Sequence, residues 1–287
     1  MYKTATPILL LCGLAAPSWA DTPIDESRPL NPDATIHVSN CAGTIQVQTW
    51  DKNLLSLTGR LGENVEKLAI DGDASKLRID VKLPKHSHNV EDTVLVLKVP
   101  AGVALDLESV SADVDVQGTK GALKVNSVSG DLHLLVDSPK VSAQTVSGDL
   151  RLVAPSRDTV VKTVSGDMTI QGTQGELTGE TVSGNLKLDG KSLSRLKLKS
   201  VSGDFEVNAS LTDSARADLE TLSGEVDLDL PAATNAAIEL NTFSGELSSD
   251  LGGPIKEDMH RATLKLGDGS GQVNVHSFSG DIQLRKK

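Results

Sequence analysis

The sequence predicts an all-β fold, a β-solenoid of stacked two-strand rungs of about 18–21 residues with an irregular N-terminal β cap. Three observations predict it. A short word, Ser/Thr-Val-Ser-Gly-Asp, recurs along the chain; its spacing is nearly fixed; and the residues on either side of it alternate between apolar and polar. A fixed period near 20 residues marks one supersecondary unit stacked on itself, each unit too small to bury its own apolar face.

The copies begin at Ser109, Ser127, Thr145, Thr163, Thr181, Ser200, Thr221, Thr242 and Ser277. The first four steps are 18 residues each, later ones lengthen to 21, and the last is 35. After each Gly the chain alternates, as in Asp149-Leu-Arg-Leu152, with the period of a half-buried strand. A second alternating run precedes the word, as in Leu123-x-Val125, Val141-x-Ala143 and Leu196-x-Leu198. Each repeat therefore holds two short strands, and neither has the length or the 3.6-residue period of a helix. Two stackings fit: a solenoid with equivalent residues in vertical columns about 4.8 Å apart, or an antiparallel β meander of repeated hairpins turning at Ser-Gly. Near-identical residues at identical phase favour the columns, with Gly at a bend where a Cβ would obstruct.

Residues 1–20 read as a secretory signal: Lys3, an apolar run from Ile8 to Ala16, then Ser18-Trp19-Ala20 before a cleavage point at Asp21. Cys12 does not make a lipoprotein signal, because Leu11 stands where a small residue is needed. No other stretch approaches the ~18 apolar residues of a membrane span. The expectation is an exported protein, periplasmic first, with the cell surface or secretion as alternatives and no transmembrane segment after cleavage. Residues 21–33 read as an extended leader with Pro23, Pro29 and Pro32, and residues 34–287 as one β domain, comprising a cap (34–100) and a repeat array (101–287). Within the cap, strands are expected at Thr35–Val38, Gly43–Val47, Leu55–Leu57, Leu68–Ile70, Leu77–Val81 and Thr93–Val99. No 18-residue period is visible there. At the far end, Leu251–Pro254 and Arg261–His276 read as a loop plus an inserted hairpin, and Arg285-Lys-Lys287 as charges blunting an exposed final edge.

Composition excludes several partners. The net charge is −11, and more negative still without the leader, which carries Lys3 and no acid; such a surface repels nucleic acid and anionic lipid. Beyond the leader the only aromatics are Trp50, Phe205, Phe243 and Phe278, too few for base stacking or an aromatic sugar platform. Cys41 is then the sole cysteine, so stability must come from ladders and aliphatic columns.

Four stretches carry a resemblance to a known family: Gly43-Thr-Ile-Gln-Val-Gln-Thr-Trp-Asp51, Val99-Pro-Ala-Gly-Val103, the recurrent word itself, and Gly267-Asp-Gly-Ser-Gly-Gln-Val-Asn-Val-His-Ser-Phe-Ser-Gly-Asp281. From about Ile36 to Leu284 the chain resembles the bacterial putative-adhesin domains of unknown function, related to the toast-rack domains of envelope-stress proteins. The resemblance implies a β-solenoid-like fold in an exported protein with an adhesion label, and it supplies no catalytic residues.

Candidate chemistry is sparse. An acidic column, Asp131, Asp149, Asp167, Asn185, Asp204, Glu225, Glu246 and Asp281, stacks like charges whose repulsion could be relieved by Ca²⁺, by backbone N–H donors at the bend, or by solvent. One carboxylate per bend, with Asn and Glu accepted alike, fits a turn better than a calcium site. The Ser column (Ser129, Ser147, Ser165, Ser183, Ser202, Ser223, Ser244, Ser279) has no His at matching phase to act as base, His133 occurring once; it reads as turn chemistry. His86-Ser-His88 with Glu91 and Asp92 is the one local cluster of metal-ligand type, though Pro84 and Asn89 equally suit an exposed loop. His37, His260 and His276 stand isolated in sequence, and Cys41 reads as a small buried residue. No catalytic, cofactor or metal residue is assigned, and no cofactor is expected. The leading expectation is a non-enzymatic, adhesin-like scaffold binding an envelope protein or surface glycan. Alternatives are an accessory to an envelope-stress sensor or regulator, and a carbohydrate-active β-helix enzyme, which the even spread of carboxylates disfavours.

Overall fold

The structure is a computed structural model that describes residues 22–84, 91–251 and 260–287. The signal-like segment 1–20 and the His86-Ser-His88 cluster lie outside the described residues. The chain runs through β1 (Thr22–Pro29), β2 (Thr35–Trp50), β3 (Leu54–Leu61), β4 (Lys67–Gly72), β5 (Lys76–Lys82) and β6 (Thr93–Pro100). The repeats follow as β7 (Ala104–Gln117), β8 (Leu123–Asn126), β9 (Leu132–Leu135), β10 (Lys140–Gln144), β11 (Leu150–Val153), β12 (Asp158–Lys162), β13 (Met168–Gln171), β14 (Gly175–Glu180), β15 (Leu186–Ser202), β16 (Phe205–Ser223) and β17 (Val226–Leu230). The chain ends through β18 (Ala236–Ser244), β19 (Leu247–Ser249), β20 (Arg261–Leu266), β21 (Gly271–Ser279) and β22 (Ile282–Lys286). All described secondary structure is β, and every strand expected in the cap falls within β2 to β6.

Repeats meet in parallel and in register, not as the hairpins of a meander. The strands after the glycine form one ladder, with Leu132 on Leu150, Leu150 on Met168, Met168 on Leu186 and Leu186 on Phe205. The strands before the word form the other, with Leu123 on Val141, Val141 on Thr159 and Thr159 on Leu177. Long strands such as β2, β7, β15 and β16 turn a corner and serve both ladders. Alternation sends Leu150, Leu152, Val161, Ile170, Leu186 and Leu198 into one shared core, each at most 1% exposed. Full burial of such a side chain contributes about 1.5–3 kcal/mol relative to exposure.

The glycines at the word allow the rungs to close at the corner. A Cβ on Gly184 would stand 2.2 Å from the carbonyl oxygen of Gly166, and Gly184 has a φ of 153°, a left-handed-side value that favours glycine. From Gly148 onward each word's glycine thus nests on the glycine of the adjacent rung.

Both ends differ from the sequence reading. The proline-containing segment expected as a leader forms β1, antiparallel to β3. In the cap, β2 pairs with β7 in parallel from Thr35↔Ala104 to Gln48↔Gln117, so it is a full rung despite lacking the repeat word. At the other end the copies do not stack in chain order. Ser223 pairs with Ser279, and Ser279 with Ser244, so the copy starting at Ser277 lies between those starting at Thr221 and Thr242. The C-terminal strand β22 is accordingly sandwiched between β17 and β19, and Arg285-Lys-Lys287 does not blunt a final edge. Arg285 instead binds Asp227, and Lys287 donates to Asn208 at 2.9 Å. The edges are β1, β4, β19 and β20, each paired on one side only among the described residues.

Candidate functional site: the apolar ridge and groove at the Ser-Gly corner

Extending the strand alternation through Val141, Ala143 and Thr145 turns the first residue of each word inward and the second outward. Thr145, Thr163 and Thr181 are buried, while Val146, Val164 and Val182 face solvent. All nine copies repeat this. The outward column reads Val110, Val128, Val146, Val164, Val182, Val201 and Leu222, then, in stacking order, Phe278 and Phe243. Its exposure runs from 43% at Val146 to 70% at Phe243, and the two Phe rings stack with centroids 4.9 Å apart. Cys41 lies at the same corner one rung earlier, half-buried, between residues paired with Ser109 and Ser111, so it begins the ridge instead of filling the core.

A groove of about 820 Å³ follows the ridge across rungs 126–222. Val146, Val164, Val182, Val201 and Leu222 line it on one side. On the other stand Asn126, Gln144, Lys162, Glu180, Lys199 and Glu220, stacked one per rung. The charges alternate along that rim: Lys162 pairs with Glu180 at 2.7 Å, and Lys199 with Glu220. The Glu220 carboxylate, by hydrogen bond and by charge, holds the Lys199 ammonium pKa above its ordinary value. The rim is therefore polar without net sign, and an apolar wall runs beside it. A contiguous exposed apolar column of this length is the kind of surface that interaction sites use, which makes the ridge the candidate site.

The sequence-predicted columns have structural work at the same corner. Asp131 Oδ1 accepts from the Asp149 N–H at 3.0 Å, Asp149 from Asp167 at 2.9 Å, and Asp167 from Asn185 at 2.8 Å. Asn185 Oδ1 accepts from Asp204, Asp204 Oδ1 from Glu225, and Asp281 Oδ1 from Glu246. Backbone donors thus meet the stacked carboxylates, and each bond needs only an acceptor oxygen, which is why Asn serves. The exposed serines run along the same bend, their backbone N–H groups donating to the ridge carbonyls below, as Ser147 does to Val128 at 2.7 Å. His133 stands between Asp115 and Arg151 in a ladder, His276 meets Asn241, and His260 is exposed. His37 is not isolated: strand register brings three carboxylates around it. Among the described residues, no helix is long and apolar enough to cross a membrane.

No curated protein matches the sequence. Solved structures align over 93% of this chain at low identity. A putative adhesin from Bacteroides fragilis is 12% identical with 98% of its own chain covered and a TM-score of 0.40. A putative lipid binding protein from Parabacteroides distasonis is 15% identical with 97% covered and a TM-score of 0.44. A family model matches in two overlapping stretches, residues 29–180 and 156–285, and the chain belongs to the family it describes, Toastrack DUF4097.

Proposed function

We propose that this protein is an exported, non-enzymatic β-solenoid scaffold that binds a partner in the cell envelope or outside the cell along the ridge and groove at the Ser-Gly corner. The observation that carries the reading is the unbroken outward column from Val110 to Phe243, present in every copy of the word and alongside a polar rim. Apolar residues held outward in nine registers give a long, linear contact. Such a contact suits an elongated partner better than a small molecule in a closed pocket. The rim's alternating charges favour a partner without strong net charge, and the acidic surface elsewhere keeps anionic surfaces away. The Asp side chains and the Ser backbone N–H groups hold the corner, a structural task that supports a binding role over turnover.

Capture from the producing organism's envelope by crosslinking tests the reading. The parent protein is compared with a variant carrying Val146→Asp, Val164→Asp and Val182→Asp, substitutions at exposed positions that leave the core alone. Loss of one dominant captured partner in the variant, with an unchanged melting temperature, is the expected result. Equal capture by both proteins would overturn it, and release of shortened glycan by the purified protein would replace the scaffold with an enzyme.

A further inference from the structure

His37 lies on β2 between β5 and β7, and both neighbours deliver carboxylates to its face. Register pairs His37 with Arg78 and Asp106, and Ser39 with Asp80 and Glu108. Positions 37 and 39 share a face because side chains alternate along a strand, and their partners share it with them. His37 Nδ1 is 3.5 Å from Asp106 Oδ2, while Nε2 is 3.8 Å from Glu108 Oε2 and 3.9 Å from Asp80 Oδ1. Ligand atoms of His37, Asp106 and Glu108 all lie within 4.8 Å of one another.

These separations exceed the roughly 2.7–3.2 Å of a hydrogen bond. Two donors each about 2.1 Å from one ion, at an angle between tetrahedral and trigonal, stand about 3.4–3.6 Å apart. The gaps around Nε2 are thus a few tenths of an ångström from ligand-to-ligand spacing, within reach of small side-chain rotations. Burial adds an independent sign. His37 Nε2 and Asp80 Oδ1 are both enclosed without a hydrogen-bond partner, and the Asp80 side chain is only 6% exposed. Two buried polar atoms facing each other without a bond are costly unless a group between them satisfies both. The other oxygen of Asp80 accepts from Arg78 Nε and Lys82 Nζ, both at 2.8 Å, which holds Oδ1 toward His37. Lys124 Nζ lies 3.2 Å from Asp106 Oδ1, leaving Oδ2 to face the imidazole Nδ1.

We propose that this cluster binds a divalent transition-metal ion of the Zn²⁺ type through His37, Asp106 and Glu108, with the buried Asp80 carboxylate facing the ring at Nε2. One imidazole with carboxylate oxygens is a borderline donor set that suits Zn²⁺ or Mn²⁺, whereas Ca²⁺ takes six to eight oxygens. A carboxylate held against the ring fixes its tautomer and orientation. The ion would tie β2 to β7, clamping the cap to the first regular rung.

The purified full chain, stripped with chelator, is titrated with ZnCl₂ by calorimetry, with CoCl₂ as a visible-absorption probe. One tight equivalent is expected, with a cobalt d–d spectrum and a rise in melting temperature on adding zinc. Glu108→Gln and His37→Gln should weaken binding by at least about tenfold and abolish the thermal rise. Glu108 is half-exposed, so Glu108→Gln should keep the fold and decides the matter if His37→Gln misfolds. The double variant His86→Ala, His88→Ala should bind zinc like the parent. Zinc binding lost in that double variant, parental affinity in Glu108→Gln, no binding by the parent, or displacement of zinc by equimolar CaCl₂ would each overturn the assignment.

Discussion

The backbone N–H of Glu246 donates to the carboxylate of Asp281 at 2.8 Å, although Asp281 comes 35 residues later in the chain. The same bond elsewhere joins each word to the one before it, as between Asn185 and Asp167. At the C-terminal end the donor rung instead rests on a copy made after it.

Deleting residues 267–287 should therefore damage more than a terminus. The deletion removes β21 and β22, which separate β16 and β17 from β18 and β19. Limited proteolysis should show residues 236–251 becoming cleavable while 127–202 stays protected. Loss of the last residues alone, with 236–251 still protected, would contradict the stacking order.

Gly184→Ala should destabilise strongly, by about 1–3 kcal/mol from backbone strain alone, since its Cβ meets the Gly166 carbonyl at 2.2 Å. Val182→Ala, two residues earlier on the ridge and 45% exposed, should stay within about 0.5 kcal/mol of the parent. Urea denaturation distinguishes the two.

Asp167→Asn should be neutral or slightly stabilising, because the Asn185 N–H needs only an acceptor and one stacked charge disappears. Asp167→Ala removes that acceptor and should cost about 0.5–1.5 kcal/mol. Equal losses in both variants, measured by chemical denaturation, would mean that the charge itself is required.

Asp80 gives a pH signature. Burial raises its pKa, but the hydrogen bonds and charges of Arg78 and Lys82 outweigh that, and the net shift is downward from the ordinary carboxylate value. A carboxyl with a depressed folded-state pKa stabilises the fold above its unfolded value, near pH 3.9, and loses that contribution as pH falls through the folded value. Asp80→Asn should therefore be less stable than the parent at pH 7, by about 1–3 kcal/mol, with the difference shrinking below pH 4. Melting temperatures of both proteins across pH 3–7 check the sign.

Much of this was readable from alternation and turn residues. Period-2 patterning located the cap strands, and the Gly in eight of the nine words pointed to a corner where backbones touch. Extending the same alternation by three residues from Ala143 exposes Val146, so the ridge was legible too. Other features left no local trace. In β2 the word has decayed to Asn40-Cys-Ala-Gly43, and only the ladder register reveals it as a rung. Stacking order is invisible because near-identical words pair equally well with any neighbour. The carboxylates around His37 come from strands distant in sequence, and no spacing rule joins them.

The interleaved C-terminal strands also restrict where this protein can grow. Between Ser127 and Thr181 every rung is reached by the same 18-residue stride, so a duplicated unit there adds one more ridge valine and one more rim residue while leaving its neighbours in phase. Beyond Thr221 a duplicated unit would have to enter between strands already threaded out of chain order, and so would disturb their pairing. The length of the groove is thus set by a modular midsection held between two fixed ends, and homologues of different reach should differ by whole multiples of that stride upstream of the lock.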